Sequence, residues 1–115
     1  MNTHYLPIYK NIKLLMEKIA KHSANYPRNL RAALSEQMLI ICAGIPFKVS
    51  KANNAPTHVK SVLIGFVIDD FTALQSLNRL SFDLKAISEE VYTELMNLIY
   101  NAKRQSTGWL AKYSE

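Results

Sequence analysis

At 115 residues, with 49% of them apolar and only three Gly and four Pro, the chain has material for one domain and one core. That composition excludes a disordered chain and disfavours a turn-rich all-β fold, and the single Cys42 excludes an internal disulfide. The net charge of +5 is uneven: residues 1–60 carry net +7 and residues 61–115 net −2. A basic half fits either a polyanionic partner, most simply nucleic acid, or a solubilising face.

The first predicted helix covers residues 6–22, with Pro7 tolerated in its opening turn. Ile8, Ile12, Leu15 and Ile19 recur at the spacing of one helical face, while Lys10, Lys13, Glu17, Lys18 and Lys21 occupy the other side. Tyr9 and Leu14 lie off the apolar stripe and read as further contact points. After a short connection, Pro27 suits the first turn of a second helix over 27–52, amphipathic through Leu30, Ala33, Leu34, Gln37 and Ile41. From Met38 to Phe47 that helix is apolar all round, and Pro46 predicts a bend.

Thr57 reads as the N-cap of a third helix over 57–82. Its run Val62–Ile68 has no polar side, and Phe71, Leu74, Leu77 and Leu80 continue the apolar pattern. Ser88, followed by Glu89 and Glu90, is a strong N-cap for a fourth helix over 88–110, which carries Tyr92, Leu95, Met96 and Ile99. Four helices with short connections predict an all-α, antiparallel up-down-up-down four-helix bundle formed by the single domain 1–115.

A monomeric bundle buries one stripe of each helix, so the surplus apolar residues of helices two and three predict a subunit interface. The residues assigned to it are Met38, Ile41, Ile45, Ile64, Phe66 and Ile68, with Gly44 and Gly65 expected to allow close backbone approach. The apolar runs Met38–Phe47 and Val62–Ile68 are too short to span a bilayer, and the opening residues lack a signal-peptide layout. The expectation is a cytoplasmic protein without a membrane partner.

Chemistry-bearing constellations are sparse. His4, His22 and His58 are far apart and no Glu-x-x-His pair exists, so no metal or other cofactor is predicted. Asp69 and Asp70 point about 100° apart on a helix and do not easily share a site; Asp70 suits an ion pair inside an assembly. Cys42 lies in an apolar run, the glycines are isolated, and neither Arg28 nor Arg31 is followed closely by the histidine of helical-bundle ribonucleases. The chain reads as non-enzymatic. What remains is a basic surface of Lys10, Lys13, Lys18, Lys21, Arg28, Arg31, Lys48 and Lys51, interleaved with Tyr5, Tyr9 and Tyr26 and suited to a phosphate backbone.

Leu6-Pro7-Ile8-Tyr9-Lys10, Tyr26-Pro27-Arg28 with Leu34-Ser35-Glu36-Gln37, Ile87-Ser88-Glu89-Glu90-Val91-Tyr92 and Thr107-Gly108-Trp109-Leu110 appear in this order along nearly the whole chain. In order and spacing they resemble the accessory variability determinant proteins of diversity-generating retroelements. Thr107 departs by replacing the first glycine of their tail motif. Ala43-Gly44-Ile45-Pro46 resembles the related four-helix proteins of intervening sequences in bacterial large-subunit ribosomal RNA genes, although Lys51 stands where those carry an acid.

The first resemblance implies a ring-like homopentamer that binds the element's reverse transcriptase and template RNA, or DNA and RNA–DNA hybrids, and supports mutagenic cDNA synthesis without catalysing it. The second implies a scaffold with generic nucleic-acid binding. A helical-bundle nuclease or toxin component is a third reading, and it lacks its motif.

Overall fold

A computed structural model describes residues 5–113, leaving the side chains of Tyr5 and Leu6 aside. His4 and the Tyr5 side chain therefore lie outside the described residues. Five helices follow in order: α1 (Tyr5–Ser23), α2 (Arg28–Arg31), α3 (Ser35–Asn53), α4 (Thr57–Asp83) and α5 (Glu89–Ala111). The four long ones pack into one all-helical body of 44 × 20 × 19 Å, each touching two neighbours, α1 with α3 and α5, and α4 with α3 and α5. Its long axis is about the length of α4, since 27 residues rise roughly 40 Å.

The core follows helical spacing. α1 contributes Ile8, Ile12, Leu15 and Ile19; α3 contributes Met38, Cys42, Ile45 and Val49; α4 contributes Ile64, Val67, Phe71 and Leu74. α5 adds Leu95, Ile99, Ala102 and Trp109. Burial on this scale is the main source of stability, at about 25 cal/mol per Å² of apolar surface. Four polar side chains are buried with it: Ser35, Asn78, Ser81 and Ser106. The serines of α4 and α5 donate back to carbonyls four residues earlier, Ser81 to Leu77 and Ser106 to Ala102. Asn78 reaches across helices, its Nδ2 donating to the Tyr92 carbonyl at 3.1 Å.

Two expectations change. The second helix is interrupted, because the Leu34 backbone (φ −115°, ψ −81°) leaves the helical region. Its side chain turns into a small satellite cluster with Tyr26 and Ala86, and Ser35 meets Ser23 at 2.6 Å. The hydrogen-bonded path nevertheless continues on either side, Leu34 N–H to Leu30 and Met38 N–H to Leu34. Thr57 does not cap α4 through its side chain; it is the first helical residue, after Pro56. Pro46 lies inside α3, as the predicted span 27–52 places it.

Lys60 of α4 closes the end of α3, its Nζ donating to the Ala52 and Asn53 carbonyls at 3.1 and 2.5 Å. A cation at this helix end also complements the helix dipole. At the end of α4, Ala86 N–H bonds to Ser81 and Lys85 N–H to Phe82, the two bonds of a Schellman motif. Lys85 takes the left-handed position that usually falls to glycine (φ 63°). Ser88 caps α5 as its sequence indicates, accepting from Val91 N–H at 3.2 Å.

Three of the six residues assigned to a subunit interface lie in the core instead. Met38, Ile45 and Ile64 are 0% exposed inside the core, so they cannot meet another subunit without opening the bundle. Ile41 and Ile68 are half-buried against the same core, and Phe66 is exposed. An all-apolar stretch carries no phase information, so only packing decides which side turns inward. The outward side of α3 and α4 is Ile40, Phe47, Val62 and Phe66, between 52% and 72% exposed. A Cβ added at Gly44 or Gly65 would meet no atom within 4 Å, so neither marks a close helix crossing within the chain.

Candidate nucleic-acid interface

The apolar stripe of α1 fixes the direction of its lysines. Because Ile8, Ile12, Leu15 and Ile19 face the core, Lys10, Lys13 and Lys21 stand outward and exposed, spread over about 16 Å of helix axis. Glu17 lies between Lys13 and Lys21 at four-residue spacing and is the one acid of α1. Arg28, in the first turn of α2, is also exposed and extends the basic surface beyond the end of α1.

Other members of the predicted set are engaged within the fold. Lys18 approaches Glu94 of α5 at 3.7 Å, and His22 approaches the same carboxylate at 3.7 Å. Arg31 donates to the Ala24 carbonyl at 2.8 Å, bracing the joint between α1 and α2. Lys48 pairs with Asp70 at 2.8 Å, so the ion pair expected of Asp70 inside an assembly forms within one chain. Exposed pairs of this kind are worth about 0–1 kcal/mol, and their effect here is to cancel positive charge. Tyr26 is 3% exposed and cannot serve as a surface stacking group, whereas Tyr9 is exposed.

Lys51 belongs to a different feature. A groove of about 280 Å³ between α3 and α4 is lined by Phe47, Leu63 and Phe66, with Lys48, Lys51, Asp69 and Asp70 at its borders. Asp69 and Asp70 thus border one groove despite their angular separation, although Asp70 is tied to Lys48. Two cations against two carboxylates leave this groove neutral overall, unlike the α1 face.

Sequence reading missed a second basic feature, because it falls in the half with net negative charge. Tyr100, Lys103, Arg104 and Thr107 form one stripe of α5 and line a shallow pocket with Gln75 of α4. The signal was available in their i, i+3, i+4, i+7 spacing.

Among the described residues, no group of three His, Cys, Asp or Glu side chains comes together as a metal would require. The stretch Arg28–Asn53 is long and apolar enough to cross a membrane by composition alone. In the bundle its Met38, Cys42, Ile45 and Val49 side is core, while Ile40 and Phe47 on the other side are exposed.

Burial pushes the Cys42 thiol from 9.0 up to about 12, and the Asp70 carboxylate acts in the same direction. The folded chain therefore holds the thiol proton where the unfolded chain releases it. The resulting stability is full below pH 9 and is lost as pH rises toward 12. Urea unfolding across this window should show a falling stability whose slope is reduced in Cys42→Ala; equal slopes in the two proteins would mean the thiol does not contribute.

No family model matches this chain, and no curated protein is significantly similar to it.

Proposed function

We propose that this protein is a non-catalytic RNA-binding accessory protein whose principal contact surface is the outward face of α1 continued by Arg28. The observation that carries the reading is the contrast in charge pairing. Lys18 and Lys48 are matched by carboxylates of neighbouring helices, while Lys10, Lys13, Lys21 and Arg28 stand exposed on one side, with Glu17 among them. Cations arrayed along a rigid helix contact phosphates and release counterions, giving affinity that depends on charge and shape with little base preference.

In this reading the four long helices alternate in direction, as their short connections favour, and a second copy docks on the exposed apolar side of α3 and α4. Association repeats the basic face and raises a weak patch to useful avidity. The resemblance to accessory variability determinant proteins supplies the setting: a ring-like homopentamer, acting in the cytoplasm with a reverse transcriptase and its template RNA. Co-purification with a reverse transcriptase encoded beside this gene tests that setting directly.

RNA affinity measured across a salt series tests the electrostatic core of the proposal. The expected result is a linear fall of log affinity with log salt, by about 0.7 to 0.9 per phosphate contact. A flat response would remove phosphate contact from the account. Light scattering at micromolar concentration tests association. The native chain should exceed its 13.1 kDa monomer mass, and Phe47→Glu with Phe66→Glu should return it to that mass. A monomeric native chain would show that the exposed aromatics do not mediate self-association.

A further inference from the structure

The pocket between α4 and α5 differs in chemistry from the other basic features. Its lining is Gln75, Tyr100, Lys103, Arg104 and Thr107, with no carboxylate among them, and its volume is about 220 Å³. That is below the range of drug-sized ligand sites and near the scale of a single flat ring. Tyr100 is 54% exposed, so its ring is accessible to solvent at the edge of the pocket. Lys103 Nζ donates to Gln75 Oε1 at 3.0 Å, which holds the ammonium over the pocket by a neutral partner and leaves its charge uncancelled. Thr107 Oγ1 donates to the Lys103 carbonyl at 3.0 Å, so the threonine serves the helix. Arg104 is exposed beside them.

An accessible aromatic ring next to two cations, free of acids, matches the two parts of a nucleotide. The ring offers a stacking platform that accepts any base, and the cations sit where a phosphate would be neutralised. Bases within a duplex are already stacked on each other, so the ligand must present an unpaired base. The groove between α3 and α4 offers no such match, since two carboxylates share its lining and Asp70 pairs with Lys48.

We infer that the α4–α5 pocket is a subsite for one unpaired nucleotide of an RNA strand, its base stacked on Tyr100 and its phosphate held by Arg104 and Lys103. The inference rests on the RNA-binding reading and adds to it. The α1 face supplies non-specific attraction, and this pocket selects for single-stranded segments.

The test uses a fluorescently labelled eight-nucleotide unstructured RNA, with heparin as a polyanion that lacks bases. Because Tyr100 is exposed, Tyr100→Ala should keep the native circular dichroism. It should weaken RNA binding about 5- to 150-fold, the range for loss of one stacked base, and leave heparin binding unchanged. Tyr100→Phe should bind within about twofold of the native chain. A 4-thiouridine version of the RNA should crosslink to the peptide that contains Tyr100.

Unchanged RNA affinity in Tyr100→Ala overturns the subsite, as does an equal loss for RNA and heparin. If the native chain binds and loses binding on reversal of the α1 lysines while Tyr100→Ala is silent, only the subsite falls. If the native chain binds no RNA at any salt concentration, the subsite and the RNA-binding reading fall together.

Discussion

Replacing Lys10, Lys13 and Lys21 together by glutamate is expected to remove most RNA affinity while leaving the bundle folded. The change takes the net charge from +5 to −1. Three phosphate contacts contribute a slope of about 2 to 3 in log affinity against log salt. Extrapolated from 1 M salt, that slope amounts to about a hundredfold or more in affinity at 0.1 M, and the new acids add repulsion. The fold should tolerate the change because these side chains are exposed and opposite the Ile8–Ile19 stripe. Like charges at four-residue spacing with Glu17 cost only about 0.2–0.5 kcal/mol per pair.

The informative comparison is with the triple glutamine variant. It should lose the same salt slope and less affinity, since it removes contacts without adding repulsion. A glutamate variant that binds as well as the native chain, with native helicity, would place the RNA surface elsewhere on the molecule.

The largest expected effect on stability belongs to Trp109. It is 1% exposed near the end of α5 and has the largest side chain in the core. Trp109→Ala removes its apolar contacts and leaves a cavity that the rest of the core fills only in part. The expected cost is about 3–5 kcal/mol, a large share of the roughly 5–15 kcal/mol that holds a domain together. For a chain of this size the thermal midpoint should fall by about 10–20 °C. Helix content followed at 222 nm measures it, and in the native chain the single tryptophan provides a second probe of the same transition. A loss below about 1 kcal/mol would mean that the end of α5 frays independently of the core.

How much of this was legible in the sequence depends on whether the signal was local. Ile8, Ile12, Leu15 and Ile19 alternate with polar residues, so their inward direction can be read from spacing alone, and all four are buried. Ser88 announces its own helix because capping involves only the next three residues. By contrast, Met38, Ile45 and Ile64 belong to the continuous apolar runs Met38–Phe47 and Val62–Ile68, where periodicity says nothing about direction. Leu80 continues the helical apolar pattern of α4 and is nevertheless 47% exposed.

The break at Leu34 has no Gly or Pro to announce it; it goes with packing against Tyr26 from the preceding connection and Ala86, which is far away in sequence. The candidate site divides in the same way. The outward lysines of α1 follow from its stripe, but the loss of Lys18 and Lys48 to ion pairs depends on Glu94 and Asp70 arriving from other helices. The α5 stripe around Tyr100 was hidden by averaging charge over half the chain, which buried a local cationic cluster under distant acids.

The Asn78 amide bears on alignment more than on strength. Helices packed by Leu, Ile and Val can slide by a turn and find nearly equivalent apolar contacts, because one aliphatic side chain substitutes well for another. An amide does not tolerate that exchange. Its Nδ2 has the Tyr92 carbonyl as acceptor, while Oδ1 is buried with no partner among the described residues. A slip of one turn, about 5.4 Å, would strand the whole amide in the core at a further cost of about 1–3 kcal/mol. One polar group thus acts as an index mark that sets α4 against α5. That setting places Gln75 opposite Lys103 and brings the two sides of the Tyr100 pocket together.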